Sequence, residues 1–142
     1  MPPASAVISS PQTSRPASPP RPFECSWQAG GFGAAWVHVA GEVGIATSPQ
    51  LLQALREAQR DARLVVLDVR EVTFIDSAGV HAILAAAATA RREGQRLMLV
   101  RGPAHVARVL ALTRASAQIS TFDLHPTEPA TTLHLAPTRA GA

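Results

Sequence analysis

The residues best placed for chemistry are Asp76-Ser77, at the junction of an apolar run and a helical pattern. The apolar run, residues 72–75, ends directly before them, and apolar side chains then recur at the spacing of one buried helix face. Those positions are Val80, Ile83, Leu84, Ala87 and Ala88. The spacing predicts Ser77 in a short turn that begins a helix. Free N–H groups and the helix dipole there favour an anion, including a phosphate carried by the serine.

Two other interpretations of this turn concern capping and catalysis. In the first interpretation, Asp76 and Ser77 serve as a helix cap and have no further role. Ser77 and His81 are four residues apart and can share a helix face, as a nucleophile and its base would. However, no acidic residue is placed to orient His81, and the sequence has no G-x-S-x-G elbow. We therefore expect no enzyme activity.

The composition argues against cofactors. Cys25 is the single cysteine, which excludes a disulfide within the chain, and we expect it to be a semi-buried thiol in a strand. The five histidines lack paired ligand spacing, so no metal site is predicted. Gly30, Gly31 and Gly33 precede a strand, whereas a dinucleotide-binding loop joins a strand to a helix. The sequence predicts a turn at these glycines and no cofactor.

Charge and hydropathy limit the partners. The net charge of +3 would suit nucleic acid, but the arginines are scattered and aromatic residues make up only 4%, so we predict no direct nucleic-acid contact. No apolar run reaches the roughly 18–20 residues that span a bilayer, and the N-terminus does not resemble a secretion signal. We expect a cytoplasmic protein without membrane insertion.

Strand and helix patterns alternate along the chain. Proline- and serine-rich residues 1–22 read as a disordered tail, residues 23–136 as one domain, and residues 137–142 as a frayed end. Strands are predicted at 23–27 and 36–39, forming a hairpin, and at 64–67, 97–100 and 119–124. The run at 64–67 is typical of a strand covered on both faces.

Three helices are predicted between these strands. The first is capped by Thr47 or Ser48, and Thr47 with Gln50 matches a capping box. The second follows Ser77 and stops at Gly94, and the third covers about 106–113. Residues 127–135 fit either a short helix or an extended segment. The alternation predicts an α/β fold with a mixed sheet.

Three segments resemble the STAS domain, the family of anti-sigma factor antagonists. Residues 41–49 (GEVGIATSP) resemble the family's stretch before its first helix, and residues 72–81 (VTFIDSAGVH) its D-S-x-G-L turn. Residues 102–113 resemble the segment that opens the following helix. The similarity covers about residues 32–124. It implies a single domain with a mixed four- to five-stranded sheet and about three to four helices packed against it.

The resemblance also implies a function. Such a protein binds an anti-sigma factor that is also a serine kinase, which releases a sigma factor. Phosphorylation of the serine matching Ser77 ends the binding, and a phosphatase restores it. The residues implied in partner binding are Asp76, Ala78, Gly79, His81, Gly44 and Thr47.

Two departures from the family pattern leave an alternative function open. Gly44 stands in place of the family's aspartate, and Arg114 stands where the family often has glycine. The alternative is a STAS adaptor or scaffold without a phosphorylation cycle, in a stress-signalling, transporter or lipid-trafficking complex.

Overall fold

Within the part of the chain that the structure describes, a five-stranded sheet with its strands in chain order forms the centre. The computed structural model describes residues 21–113 and 119–124. The first two strands are antiparallel, and all later neighbours are parallel, which confirms the mixed α/β sheet. The strands are β1 (Glu24–Ala29), β2 (Ala34–Val43), β3 (Leu64–Ile75), β4 (Arg96–Val100) and β5 (Ser120–Phe122).

Three helices connect the parallel strands of the described region. They are α1 (Ser48–Asp61), α2 (Ser77–Glu93) and α3 (Ala104–Ala111). Their apolar faces join one side of the sheet in a single buried cluster, in which Leu51, Leu55 and Ile83 are among the largest fully buried side chains. A smaller cluster around Val66, Met98 and Val100 lies apart from it. In the run at 64–67, predicted to be covered on both faces, residues 65–67 are buried and Leu64 is half-buried.

Strand β3 is longer than the sequence indicates, because it joins two apolar runs into one strand of 12 residues. The charged pair Arg70-Glu71 between the runs does not break it. Register shifts against β2 accommodate the extra length and bring Ile75 opposite Val43. The ends of β2 and β3 therefore lie side by side, immediately before the turn that contains Ser77.

The start of α1 differs from expectation. Thr47 is the N-cap residue, but its side chain makes no capping hydrogen bond, so the predicted capping box with Gln50 is wrong. The Thr47 hydroxyl donates instead to the carbonyl oxygen of Glu42, at 2.9 Å. A threonine hydroxyl can bond to a backbone carbonyl oxygen of its own loop, and it then makes no capping bond to the helix.

Helix α2 follows the prediction at both ends. It begins at Ser77, and Gly94 ends it in a left-handed conformation with φ of 70°. Its buried face is rotated from the predicted stripe: Ala82, Ala86 and Ala90 are buried, whereas Leu84 and Ala88 are only half-buried. Helix α3 begins two residues before the predicted start.

Several predictions lie outside the described residues. These are the disordered tail (except residues 21 and 22), the segment 127–135, the frayed end 137–142 and Arg114. Within the described residues, none of the helices has the length and hydropathy to cross a bilayer.

Candidate functional site

Asp76 caps helix α2 with its side chain. Its Oδ1 accepts hydrogen bonds from the backbone N–H groups of Ala78, at 2.9 Å, and Gly79, at 3.2 Å. The N–H of Asp76 donates to the carbonyl oxygen of Val43 at 3.1 Å, which fixes the turn to the end of β2. A carboxylate of the chain itself thus occupies the helix N-terminus that the sequence offered to an anion.

Ser77 is the first residue of α2, and it is exposed. Within the described residues its hydroxyl has no hydrogen-bond partner. Ala78 beside it is half-buried, and His81, one helical turn further on, is exposed. The hydroxyl is therefore accessible to another protein, next to Ala78 and the capped helix end.

Gly79 packs the first turn of α2 against the sheet. It is buried, and a β-carbon at this position would lie 2.7 Å from Ile75 Cγ1, 2.8 Å from Val43 Cγ1 and 2.9 Å from the Val43 carbonyl oxygen. Only glycine permits this close approach. The role of Gly79 in the site is therefore to position the turn.

The loop between β2 and α1 forms the second side of the site. The N–H of Gly44 donates to Thr47 Oγ1 at 2.9 Å, so Thr47 braces this loop across its width. Gly44 faces the cap, since a β-carbon on it would lie 3.0 Å from Asp76 Oδ2. The structure thus places Gly44 next to both Thr47 and Asp76, and their part in partner binding stays a prediction.

Two exposed apolar side chains at the same end of the sheet were not among the predicted site residues. Ile45 is 80% exposed in the β2–α1 loop, and Phe74 is 49% exposed two residues before the cap. Phe74 pairs with Glu42 in the β2–β3 ladder, so the two apolar residues flank the loop and the turn. In the sequence, Ile45 stands out as an isoleucine among small residues, and Phe74 as an aromatic residue next to the buried Ile75. Exposed apolar side chains near a functional turn suit a protein contact.

His105 connects α3 to this end of the sheet. Its Nε2 donates to the carbonyl oxygen of Thr73 at 2.7 Å, which assigns the proton to that nitrogen. No set of three or more His, Cys, Asp or Glu side chains in the described part of the chain could hold a metal ion. The site consists of a serine hydroxyl, a capping carboxylate and apolar side chains, which suits binding of another protein.

Comparison with known proteins gives a consistent family. The family profile described as "Mlab, STAS domain" matches residues 29–120. No curated protein sequence matches the chain. Among solved structures, an anti-sigma factor antagonist from Mycobacterium paratuberculosis is 25% identical with a TM-score of 0.67, and the match covers 87% of this chain and 99% of that one.

Two further structures share the fold. SpoIIAA, an anti-sigma factor antagonist solved in its unphosphorylated form, is 15% identical with a TM-score of 0.65, over 85% of this chain and 98% of that chain. The murine anion transporter Slc26a9 is 19% identical with a TM-score of 0.59, over 73% of this chain and 18% of the transporter.

Proposed function

Because the chain belongs to the STAS domain family, we propose that it is an anti-sigma factor antagonist regulated by phosphorylation of Ser77. In this role it binds an anti-sigma factor that is also a serine kinase, and so releases a sigma factor in the cytoplasm. A phosphatase removes the phosphate and restores binding. The protein acts by binding and not as an enzyme. The likeness to the mycobacterial anti-sigma factor antagonist supports this choice among STAS functions.

The observation that carries the proposal is the exposure of Ser77 at the start of α2. A kinase can reach this hydroxyl without unfolding the domain. The neighbouring backbone N–H groups of Ala78 and Gly79 already bind the Asp76 carboxylate. A phosphate on Ser77 therefore adds about −1.5 to −2 charges beside an existing carboxylate. The N–H groups at the helix end are already bonded to Asp76 and do not stabilise the phosphate.

That added charge is sufficient for a switch. The unphosphorylated surface presents a neutral hydroxyl at the same end of the sheet as the exposed apolar side chains of Ile45 and Phe74. A partner that buries this surface must desolvate the phosphate or lose contact. A loss of about 3 kcal/mol weakens a complex more than a hundredfold.

The test is to isolate a kinase that co-purifies with the full chain and to phosphorylate the chain with it and ATP. We expect one phosphate, mapped to Ser77 by mass spectrometry, and none on Ser77→Ala. Ser26 is also exposed, so Ser26→Ala is the matched control and keeps the phosphate. Titration calorimetry is expected to show weaker kinase binding by Ser77→Asp. A phosphate on another residue, or unchanged affinity of Ser77→Asp, contradicts the proposal.

A second candidate is an adaptor that uses the same surface without phosphorylation. Gly44 supports it, because the carboxylate that the family places at this turn is missing. The fold shared with part of the murine anion transporter Slc26a9 also fits this role. A complex equally tight with and without ATP, on wild type and on Ser77→Ala, would favour the adaptor.

A further inference from the structure

The end of the sheet opposite Ser77 has a row of positions joined by backbone hydrogen bonds. The N–H of Arg63 donates to the carbonyl oxygen of Gly33 at 2.7 Å, and the N–H of Arg96 donates to the carbonyl oxygen of Arg63 at 2.8 Å. Phe32 directly precedes Gly33 in the turn between β1 and β2. The starts of three strands thus place Phe32, Arg63 and Arg96 close together.

The last turns of two helices bring more positive charge to this end, since α1 leads into β3 and α2 into β4. Their arginines, and those at the strand starts, are all exposed. Only two acidic residues, Asp61 and Glu93, accompany them in these segments. We call this surface the basic end; it consists of Phe32, Arg60, Arg63, Arg91, Arg92 and Arg96.

Helix dipoles explain part of this charge. Arginines in the last turn of a helix stabilise its negative end. Arg63 and Arg96, however, lie outside the helices. Neither Arg63 nor Arg96 takes part in an ion pair within the described residues. The charges of Arg63 and Arg96 therefore neither stabilise a helix end nor form an ion pair within the described fold.

Phe32 is unusual in both its backbone and its exposure. Its φ is 61°, and it is the one residue other than glycine with positive φ in the described part of the chain. A bulky side chain is strained in this region, where glycine or asparagine is favoured. The side chain is nevertheless 80% exposed. Strain that presents an aromatic ring to solvent points to a function for the ring.

We propose that the basic end docks on the surface of an anionic phospholipid bilayer. The arginines contact the lipid phosphates, which a guanidinium binds in bidentate fashion. The ring of Phe32 enters the interface between headgroups and acyl chains, as apolar side chains of peripheral proteins do. Contact of this kind needs no spanning helix. It leaves Ser77, at the other end of the parallel strands, facing away from the bilayer and open to a protein partner.

Nucleic acid is the other anionic polymer that arginines attract, and the observations favour it less. Single strands bind to several stacked aromatic side chains, whereas the basic end has one strongly exposed ring. The arginines also lie on several separate segments, so they form no single helix face that would enter a groove.

The experiment is co-sedimentation of the full chain with vesicles. Vesicles of phosphatidylglycerol and phosphatidylcholine in equal parts are compared with phosphatidylcholine alone, at low and high salt. We expect binding to the anionic vesicles only, and less binding at high salt. The double variant Arg63→Gln/Arg96→Gln is expected to bind roughly tenfold or more weakly. Phe32→Gly, which also relieves the strained backbone, is expected to weaken binding severalfold without loss of thermal stability.

Matched controls separate a local site from net charge. Arg56→Gln/Arg108→Gln removes the same charge from exposed helical positions outside the basic end, and Leu112→Ala removes an apolar side chain that is also 80% exposed. Both controls are expected to bind like wild type. The proposal is overturned by absent binding to anionic vesicles or by equal losses in the control variants. Tighter, Phe32-dependent binding to an oligonucleotide at the same salt would also overturn it.

Discussion

Gly44 lies directly against Asp76, and a β-carbon added at residue 44 would stand 3.0 Å from Asp76 Oδ2. The backbone of Gly44 does not have a positive φ, so other residues can adopt its conformation. Glycine at this position therefore matters because it leaves the space beside the Asp76 carboxylate free of a side chain. It keeps a second carboxylate away from the one that caps α2.

Gly44→Asp is expected to reduce the free energy of unfolding by about 1 kcal/mol near neutral pH, because two carboxylates then repel each other at the cap. Gly44→Asn has nearly the same shape without the charge and is expected to cost less. Urea unfolding of both variants measures the difference. Equal stabilities near neutral pH would show that repulsion at the cap is absent.

Gly79→Ala is expected to destabilise the domain by about 2 kcal/mol or more, since its methyl group overlaps Ile75 and Val43. Gly94→Ala is the informative comparison. Its methyl group meets no atom within 4 Å, but φ is 70°, so the cost is conformational and about 1 kcal/mol. The two costs can be measured by urea unfolding. A smaller loss for Gly79→Ala than for Gly94→Ala would contradict the close packing described for α2.

Asp68 is expected to make stability depend on acid pH. Burial acts to raise the pKa of this carboxyl, but hydrogen bonds from the side chain and backbone of Arg70 outweigh it and hold the pKa below its usual value. The bonds to the Arg70 N–H, Nε and Nη2 are all 3.0 Å long. A pKa lowered by folding stabilises the protein above the unfolded value of about 4, and this contribution disappears as the pH falls through the folded value.

The measurement is urea unfolding over the acid range. Asp68→Asn is expected to lose this part of the pH dependence, whereas Asp61→Asn, at an exposed position, keeps the dependence of wild type. Identical acid profiles for wild type and Asp68→Asn would refute the assignment.

Cys25 is expected to be a poor nucleophile. Burial raises the pKa of its thiol from 9.0 to about 11. Near neutral pH the folded protein then holds roughly a hundredfold less thiolate than the unfolded chain. Alkylation by iodoacetamide, followed by mass spectrometry, is expected to be correspondingly slow in buffer and fast in urea. Equal rates in the two conditions would contradict the shift.

The position of Ser77 could be predicted because local signals agree there. An apolar run, a capping carboxylate and a helical stripe follow one another without a gap. The continuity of β3 could not be predicted in the same way, since Arg70 and Glu71 look like a break. Arg70 pairs with Asp68, two residues earlier in the strand, whereas Glu71 pairs with Arg21, which only the folded chain brings into place.

The surroundings of the Ser77 turn could not be predicted from the sequence either. Thr47 has the residue type of a cap, and only the loop geometry reveals that its hydroxyl bonds to Glu42. Likewise, the exposure of Ile45 and Phe74 depends on what packs nearby, which hydrophobicity alone does not state. A resemblance based on motifs identified the turn, while the apolar side chains around it emerged from the fold.

The spatial order of the strands repeats their order of synthesis. Each new strand can therefore add to the free edge left by the previous one, and none has to insert between two strands already paired. The sheet can grow in one direction as the chain leaves the ribosome, with every helix completed before the strand that follows it.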